Sequence, residues 1–279
     1  MIIENTIQQA SKILKNHKIA TYRLDAEIIL SNLMGVEREF LLVNNNLNLS
    51  KKIINDYHLA IKRRINREPV AYIVGKKEFW SKNFSLNKQT LIPRAETELM
   101  IYKLASCFKE KSIKILDIGT GSGCIILSLL SELKFAKGVG IDVSQKAIEM
   151  AKFNAKKMNL SHRSQFKVLN IERIYTGKYD LIVSNPPYIP GWNLKNLSRD
   201  IRNHEPLIAL NGGIEGLDLI SKVIYKSNVL LKKNGLLAIE IGNSQYKKVS
   251  SLLKRNGFRE NSKEYDYNRN VRCIITTKV

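Results

Sequence analysis

From Ser112 to the C-terminus, short apolar runs alternate with stretches of helical period, and this alternation leaves the chain few architectures. "IKILDIG", "GVGIDV", "QFKVLN", "YDLIVSN" and "LLAIEIG" read as five strands, with "VRCIITTKV" as a last one. Between them, "CIILSLLSEL", "SQKAIEMAKFNAKKMN" (N-capped by Ser144) and "GLDLISKVIYKSNVLLKKNG" (closed by Gly235) read as helices. Parallel neighbours need a crossover connection, and a crossover helix covers the face of the sheet it crosses. The pattern therefore predicts an α/β unit with a mostly parallel sheet.

The first 65 or so residues carry no strand signal. "NTIQQASKILKNHKI" sets Ile7, Ala10, Ser11 and Leu14 on one stripe. "TYRLDAEIILSNLMG" runs from Thr21, a candidate N-cap, to Gly35, a natural C′ residue. "SKKIINDYHLAIKRRI" starts at Ser50 and repeats Ile53, Ile54, Tyr57 and Ile61. Between Pro69 and Pro93 the period shortens, and "AYIVGKKEFWSKNFSLNKQTLIP" alternates as a hairpin would. The expected organisation is a helical domain at 1–68, a hairpin connector at 69–92 and the sheet domain at 93–279.

With 44% hydrophobic residues, the 279-residue chain can bury a sizeable core. Its longest apolar runs are far too short to cross a bilayer, and its N-terminus is unlike a signal peptide. Cys107, Cys124 and Cys273 lie far apart without metal-ligand spacing, and read as reduced thiols of a cytoplasmic protein. Formal net charge is +21. Such a field attracts nucleic acid or an acidic partner. The alternative is a plain compositional bias toward lysine, since residues 1–75 carry 11 basic and 7 acidic side chains and no single stretch holds the excess.

The first strand of the sheet runs into "DIGTGSGC": Asp117, Gly119, Thr120, Gly121, Ser122, Gly123. Glycines at a strand-to-helix turn let a ligand approach the backbone, with helix N–H groups pointing at it. The spacing is Gly-x-Gly-x-Gly, one residue tighter than a nicotinamide fingerprint. Asp117 would repel a pyrophosphate but attract a cation. S-adenosyl-L-methionine offers an ammonium and a sulfonium, while its carboxylate can still use loop N–H groups. Asp142 ends the second strand at the spacing where a carboxylate binds ribose hydroxyls. Asn170 ends the third strand, where its amide can meet an adenine, and Ile171 can pack on the ring. Taken singly, the loop could be a structural turn and Asp142 the neighbour of a helix cap. Polar groups at three successive strand ends mark a ligand crevice.

The fourth strand ends in Asn185-Pro186-Pro187-Tyr188. Two prolines forbid a helix and push Asn185 toward an extended conformation, so the turn holds an amide and an aromatic ring stiffly beside the inferred cofactor. A planar amide or amino-aromatic nitrogen is a weak nucleophile. If Asn185 Oδ1 and the Pro186 carbonyl each accept one of its hydrogens, the nitrogen is aimed at a sulfonium methyl, and charge growing on it is stabilised. Tyr188 could stack on the flat group. This chemistry requires no acid, base or metal.

"SNPPYI" after such a loop resembles the amino methyltransferases acting on planar nitrogens. "REPVAYIVGKKEFW", "LIPRAETE", "HEPLIALNGGIEGLDLI" and "NGLLAIEIGNSQ" together resemble the release factor glutamine methyltransferase family over essentially the whole chain. The resemblance implies a Rossmann-like class I methyltransferase sheet with an antiparallel C-terminal strand, preceded by a small helical domain that helps grip the substrate. It implies S-adenosyl-L-methionine as donor, S-adenosyl-L-homocysteine as product, and the Gly-Gly-Gln glutamine of peptide chain release factors 1 and 2 as substrate. Gly119–Gly123 and Asp142 would hold the cofactor, and Asn185, Pro186, Pro187 and Tyr188 the glutamine. Pro93, Arg94 and Glu96 match a segment near the pocket mouth, where an Arg–Glu pair could also simply lock the connector. A monomer without specific nucleic-acid binding is expected. The rival is a nucleic-acid adenine-N6 methyltransferase, which would use the +21 charge but generally needs a recognition domain or long basic loop. Two positions depart from the family: Asn170-Ile171 stands where an Asp is common, and Arg269 occupies a glycine position, which strains any turn needing positive φ.

Overall fold

The computed structural model describes residues 1–279, and the chain divides into two compact units. One comprises Met1–Lys76 with Ser198–His204; the other comprises Lys77–Leu197 and Glu205–Val279.

In the first unit, helices Ile3–Asn16, Tyr22–Met34 and Lys51–Ile65 pack around one core. The stripe Ile3, Ile7, Ala10 and Leu14 buries against Ile29, Leu30, Tyr57 and Ile61. Ser50 Oγ accepts the Ile53 N–H as an N-cap, whereas Thr21 precedes its helix without a side-chain cap bond. The segment "AYIV" was expected in a strand; it forms a single helical turn, Val70–Val74. Pro69 at its start and Gly75 at its end, with φ 74°, favour that turn over an extended run. The Arg64 guanidinium, only 6% exposed, pairs with Asp25 at 2.7 Å and with Asp200 at 2.8 Å. Asp200 lies on the downstream helix Arg199–His204 that belongs to this unit. Removing Arg64 would strand the buried Asp25 carboxylate, a loss of about 3–5 kcal/mol.

At the start of the second unit the chain forms a hairpin of β1 (Lys76–Phe79), whose first residue still belongs to the first unit, and β2 (Lys82–Ser85). Trp80 and Ser81 take φ of 50° and 53°, so the two-residue loop has the twist that suits paired strands. A seven-stranded sheet follows, of β3 (Lys114–Ile118), β4 (Lys137–Asp142), β5 (Ser164–Val168), β6 (Tyr179–Ser184), β7 (Leu231–Glu240), β8 (Phe258–Tyr265) and β9 (Val271–Lys278). Their spatial order is β5-β4-β3-β6-β7-β9-β8. The first five neighbours pair in parallel, and β9 runs antiparallel to both β7 and β8. The chain builds outward from β3 to β5 and then returns to place β6 on the other side of β3. That reversal opens a crevice at the strand ends.

Alternate residues supply the two faces. Ile115, Leu181, Val183, Ala238 and Cys273 pack under helices Glu98–Cys107, Cys124–Glu132 and Gln145–Lys157. Leu116, Ile182, Leu237, Ile239 and Ile274 pack under helices Asp218–Leu230 and Tyr246–Arg255. Gly235 does not close a helix as expected. The helix stops at Leu230, and β7 begins at once with Leu231 opposite Tyr179. Pairing then resumes at Leu236 opposite Leu181, with Asn234 at φ 63° inside the bulge. The periodicity also gave no notice of β8, whose half-exposed "FRENSKEY" is an edge strand with little apolar alternation. No helix is long and apolar enough to cross a membrane.

Candidate active site

A cavity of about 460 Å³ opens across the ends of β3, β4, β5 and β6 in the second unit. Gly119, Thr120, Gly121 and Ser122 line it from the turn after β3, Asp142 from the end of β4, and Asn170 and Ile171 from the turn after β5. Asn185 and Pro187 line it from the turn after β6, and Thr97, Pro93, Arg94, Asn211 and Gly212 also reach it.

The glycine turn is held by local bonds. Gly121 has φ 54°, and its N–H donates to Asp142 Oδ2 at 3.0 Å. Asp142 Oδ1 accepts the Ser144 N–H at 2.9 Å. Both carboxylate oxygens are thus oriented by backbone donors, and each keeps a lone pair for a ligand hydroxyl. Burial raises the Asp142 pKa, while those backbone bonds oppose the shift. Asn170 Oδ1 accepts the Glu172 N–H at 2.9 Å, leaving its NH2 end for other partners. Ile171 is buried among the apolar residues on one sheet face as well as lining the cavity.

The geometry sorts the remaining expected residues differently. Asp117 is fully buried behind the turn and does not line the cavity; its Oδ2 accepts the Thr120 hydroxyl at 2.7 Å, and its Oδ1 has no partner. Burial pushes its carboxyl up to about 7, with the Asp142 charge adding to the rise and the Thr120 bond opposing it. Gly123 is also off the cavity wall. A Cβ there would lie 3.0 Å from Leu127 Cδ1 and 3.3 Å from Ala151 Cβ, so its small size serves helix packing. Pro186 and Tyr188 do not line the cavity either. The Tyr188 ring packs against the apolar layer containing Ile239 and Ile241, and its hydroxyl reaches Glu240 Oε1 at 3.4 Å, which leaves it poorly placed to stack on a ligand.

Two polar groups escaped the sequence reading. Thr97 ends the short turn Ala95–Thr97, and Glu240 ends β7. Asn185 Nδ2 donates to Thr97 Oγ1 at 3.3 Å, and that hydroxyl donates to Glu240 Oε2 at 2.5 Å. Burial pushes the Glu240 carboxyl up to about 7, against the Thr97 bond and the positive charge of Arg272. The only signal in the sequence was a carboxylate inside "LLAIEIG", a run otherwise apolar. Arg94 pairs with Glu205 at 2.6 Å rather than with Glu96, and Glu205 Oε2 also accepts the Ile92 N–H. Glu205 comes from "HEPLIALNGG", far along the chain.

The donor set fits S-adenosylmethionine. Backbone at the glycine turn, a fixed carboxylate for hydroxyls, and the apolar side chains of Ile141, Leu169 and Ile171 meet in one cavity of small-molecule size. Together with the sheet order, these features define a Rossmann-like, class I S-adenosylmethionine-dependent methyltransferase. The methyltransferase domain family matches residues 109–276, and the PrmC N-terminal domain family matches residues 5–75. A methyltransferase of known structure from Pyrococcus furiosus shares the fold, with a TM-score of 0.51 and 17% identity over 68% of this chain and 88% of that one. The release factor glutamine methyltransferase of Bradyrhizobium diazoefficiens is 36% identical, over 90% of this chain and 86% of its own length. A bifunctional methyltransferase of Rickettsia felis is 34% identical over 99% of this chain, which spans only 58% of that relative. The chain belongs to the release factor glutamine methyltransferase family.

Proposed function

We propose that this cavity methylates the side-chain amide nitrogen (N5) of glutamine in the Gly-Gly-Gln motif of peptide chain release factors 1 and 2. The observation that carries the reading is the placement of Asn185. Its amide lies on the wall of the cavity that the glycine turn and Asp142 also line, with its NH2 end committed to Thr97. The exposed end is then the acceptor, Oδ1.

An amide nitrogen is a poor nucleophile, so the site's work is orientation. Asn185 Oδ1 accepts one hydrogen of the glutamine NH2 from the stretch of wall that Asn185 and Pro187 line. The two prolines keep this acceptor still, so little reorganisation is needed as positive charge grows on the nitrogen. Tyr188, hydrogen-bonded to Glu240, braces the turn from the core side. Gly119 to Ser122 and Asp142 would hold the methyl donor, with Asn170 and Ile171 available to its adenine. When bound, S-adenosylmethionine supplies an electrophilic methyl group on a sulfonium. Orienting the amide toward it is worth orders of magnitude in rate.

The names of the relatives support the substrate. The helical unit, where the PrmC N-terminal domain family matches, is proposed to help grip the release factor. The +21 charge would speed encounter with an acidic partner. Three free cysteines suit the reducing cytoplasm, where the chain would act as a monomer. The test is incubation with labelled S-adenosylmethionine, offering a release factor and duplex DNA side by side. Label is expected in the release factor, lost when the Gly-Gly-Gln glutamine is replaced and lost in the Asn185→Ala variant. Label in DNA alone would overturn the assignment in favour of an adenine-N6 methyltransferase.

A further inference from the structure

We infer that Thr97 and Glu240 are positioning residues that select the flip state of the Asn185 carboxamide, so that its oxygen rather than its NH2 faces the cavity. The inference rests on the proposed role of Asn185 and extends it to two residues outside the Asn-Pro-Pro-Tyr turn.

The flip state follows from where one proton goes. Thr97 is 3% exposed and Glu240 is 2% exposed, so water is a poor substitute for either partner. A threonine hydroxyl has one hydrogen and two lone pairs. With Glu240 ionised, Thr97 sends its hydrogen to Oε2 at 2.5 Å, which leaves only an acceptor face toward Asn185. An acceptor face accommodates the NH2 end of an amide and rejects its oxygen. Asn185 Nδ2 lies 3.3 Å from Thr97 Oγ1, as this requires. In the opposite flip, two oxygens would face each other without a proton between them.

Glu240 owes its place to strand register. Ser184 of β6 pairs with Ile239 of β7, so the next residues, Asn185 and Glu240, emerge side by side at the strand ends. Ala238 belongs to the sheet face packed under helix Glu98–Cys107, and Glu240, two residues on, points to that same face. Thr97 immediately precedes that helix and meets it there. The other carboxylate oxygen, Oε1, accepts from the Tyr188 hydroxyl at 3.4 Å. One buried carboxylate therefore anchors Tyr188 directly and Asn185 through Thr97. An apolar residue in its place would suit the surrounding core better, and an ordinary strand end has no need of an acid.

The test uses the full chain with three variants: Thr97→Val, which keeps the shape and removes the hydroxyl; Thr97→Ser, which restores it; and Glu240→Gln. Two readouts are taken, methyl transfer to release factor and the side-chain amide signals of Asn185 by NMR with asparagine-selective 15N labelling. For Thr97→Val, kcat is expected to fall about 10- to 100-fold with the S-adenosylmethionine Kd unchanged, since a misaimed acceptor costs rate rather than donor binding. Thr97→Ser should recover to within about threefold, on the strength of the restored acceptor. The Asn185 NH2 signals should shift in Thr97→Val and Glu240→Gln and return in Thr97→Ser. Unmoved NH2 signals together with wild-type kcat in Thr97→Val would overturn the inference. So would a kcat loss that Thr97→Ser fails to recover, since that marks a packing effect. If wild-type protein methylates no glutamine while the NH2 signals still shift and return in this pattern, the positioning holds and the substrate assignment fails.

Discussion

The two ends of the cavity are built by different means. At the glycine turn, the polar contacts join near neighbours in the chain: Asp117 with Thr120 three residues on, Gly121 with Asp142 twenty-one residues on. At the Asn-Pro-Pro-Tyr turn they join distant ones: Asn185 with Thr97 across 88 residues, and Thr97 with Glu240 across 143. The near end can be assembled within one strand–turn–helix–strand stretch. The far end exists only once β7 has docked beside β6 and helix Glu98–Cys107 has covered the sheet. A cofactor end made largely of backbone tolerates drift in side chains, whereas a substrate end made of side chains depends on the whole core.

Breaking the far end should give the largest effect. Asn185→Ala is expected to lower kcat for methyl transfer by about 10²- to 10³-fold, the range seen when one preorganised hydrogen-bonding group is lost. The S-adenosylmethionine Kd, measured by calorimetry on the same protein, should hardly move. Breaking the near end should reverse the pattern. Asp142→Ala removes the carboxylate that fixes Gly121 and Ser144, and should weaken S-adenosylmethionine binding about 10- to 100-fold, as the loss of hydrogen bonds to a charged group implies. An Asp142→Ala protein that binds the donor normally would mean that the strand-end carboxylate has no part in the site.

A third experiment compares the buried carboxyls without any ligand. Asp117 is pushed up to about 7 from an ordinary value of 3.8. Between those values the folded chain holds a proton that the unfolded chain has released, so this group's contribution to stability falls as pH rises through that window. Glu240 acts in the same direction. Urea midpoints at pH 5 and pH 8 should therefore show a smaller drop for Asp117→Asn than for wild type, with the residual slope coming from groups such as Glu240. An unchanged slope would show that Asp117 titrates as an exposed acid does.

The smallest effect lies away from both ends, in the β8–β9 turn. Arg269 sits at φ 60° and is exposed, and its N–H donates to the Asp266 carbonyl. Asp266 Oδ1 accepts the N–H groups of Asn268 and Asn270, so the turn is well tied without the arginine side chain. Arg269→Gly should raise unfolding stability by about 0.5–1 kcal/mol, because glycine adopts positive φ without a Cβ penalty. Activity should stay unchanged, which makes this variant a control for the other three.

Much of this protein was legible in its residues because the physics involved is local. Helical stripes, the caps at Ser50 and Ser144, the glycine turn and the two prolines each act within a few residues of themselves, so order along the chain is enough to read them. The parallel sheet follows from the alternation of buried runs with covering helices. The same logic failed where two local rules competed. "AYIV" has strand composition, yet Pro69 and Gly75 bracket it as a helical turn; "LLKKNG" reads as a helix end, yet Leu231 pairs with Tyr179 and starts a strand. Only the tertiary structure decided that Asp117 lies behind the cavity, that Arg94 answers to Glu205, and that Tyr188 is turned toward Glu240. It also decided what holds Asn185. That arrangement depends on strand register and on a threonine and a glutamate far apart in the chain, and no pattern of neighbouring residues encodes which distant side chain a buried proton will find.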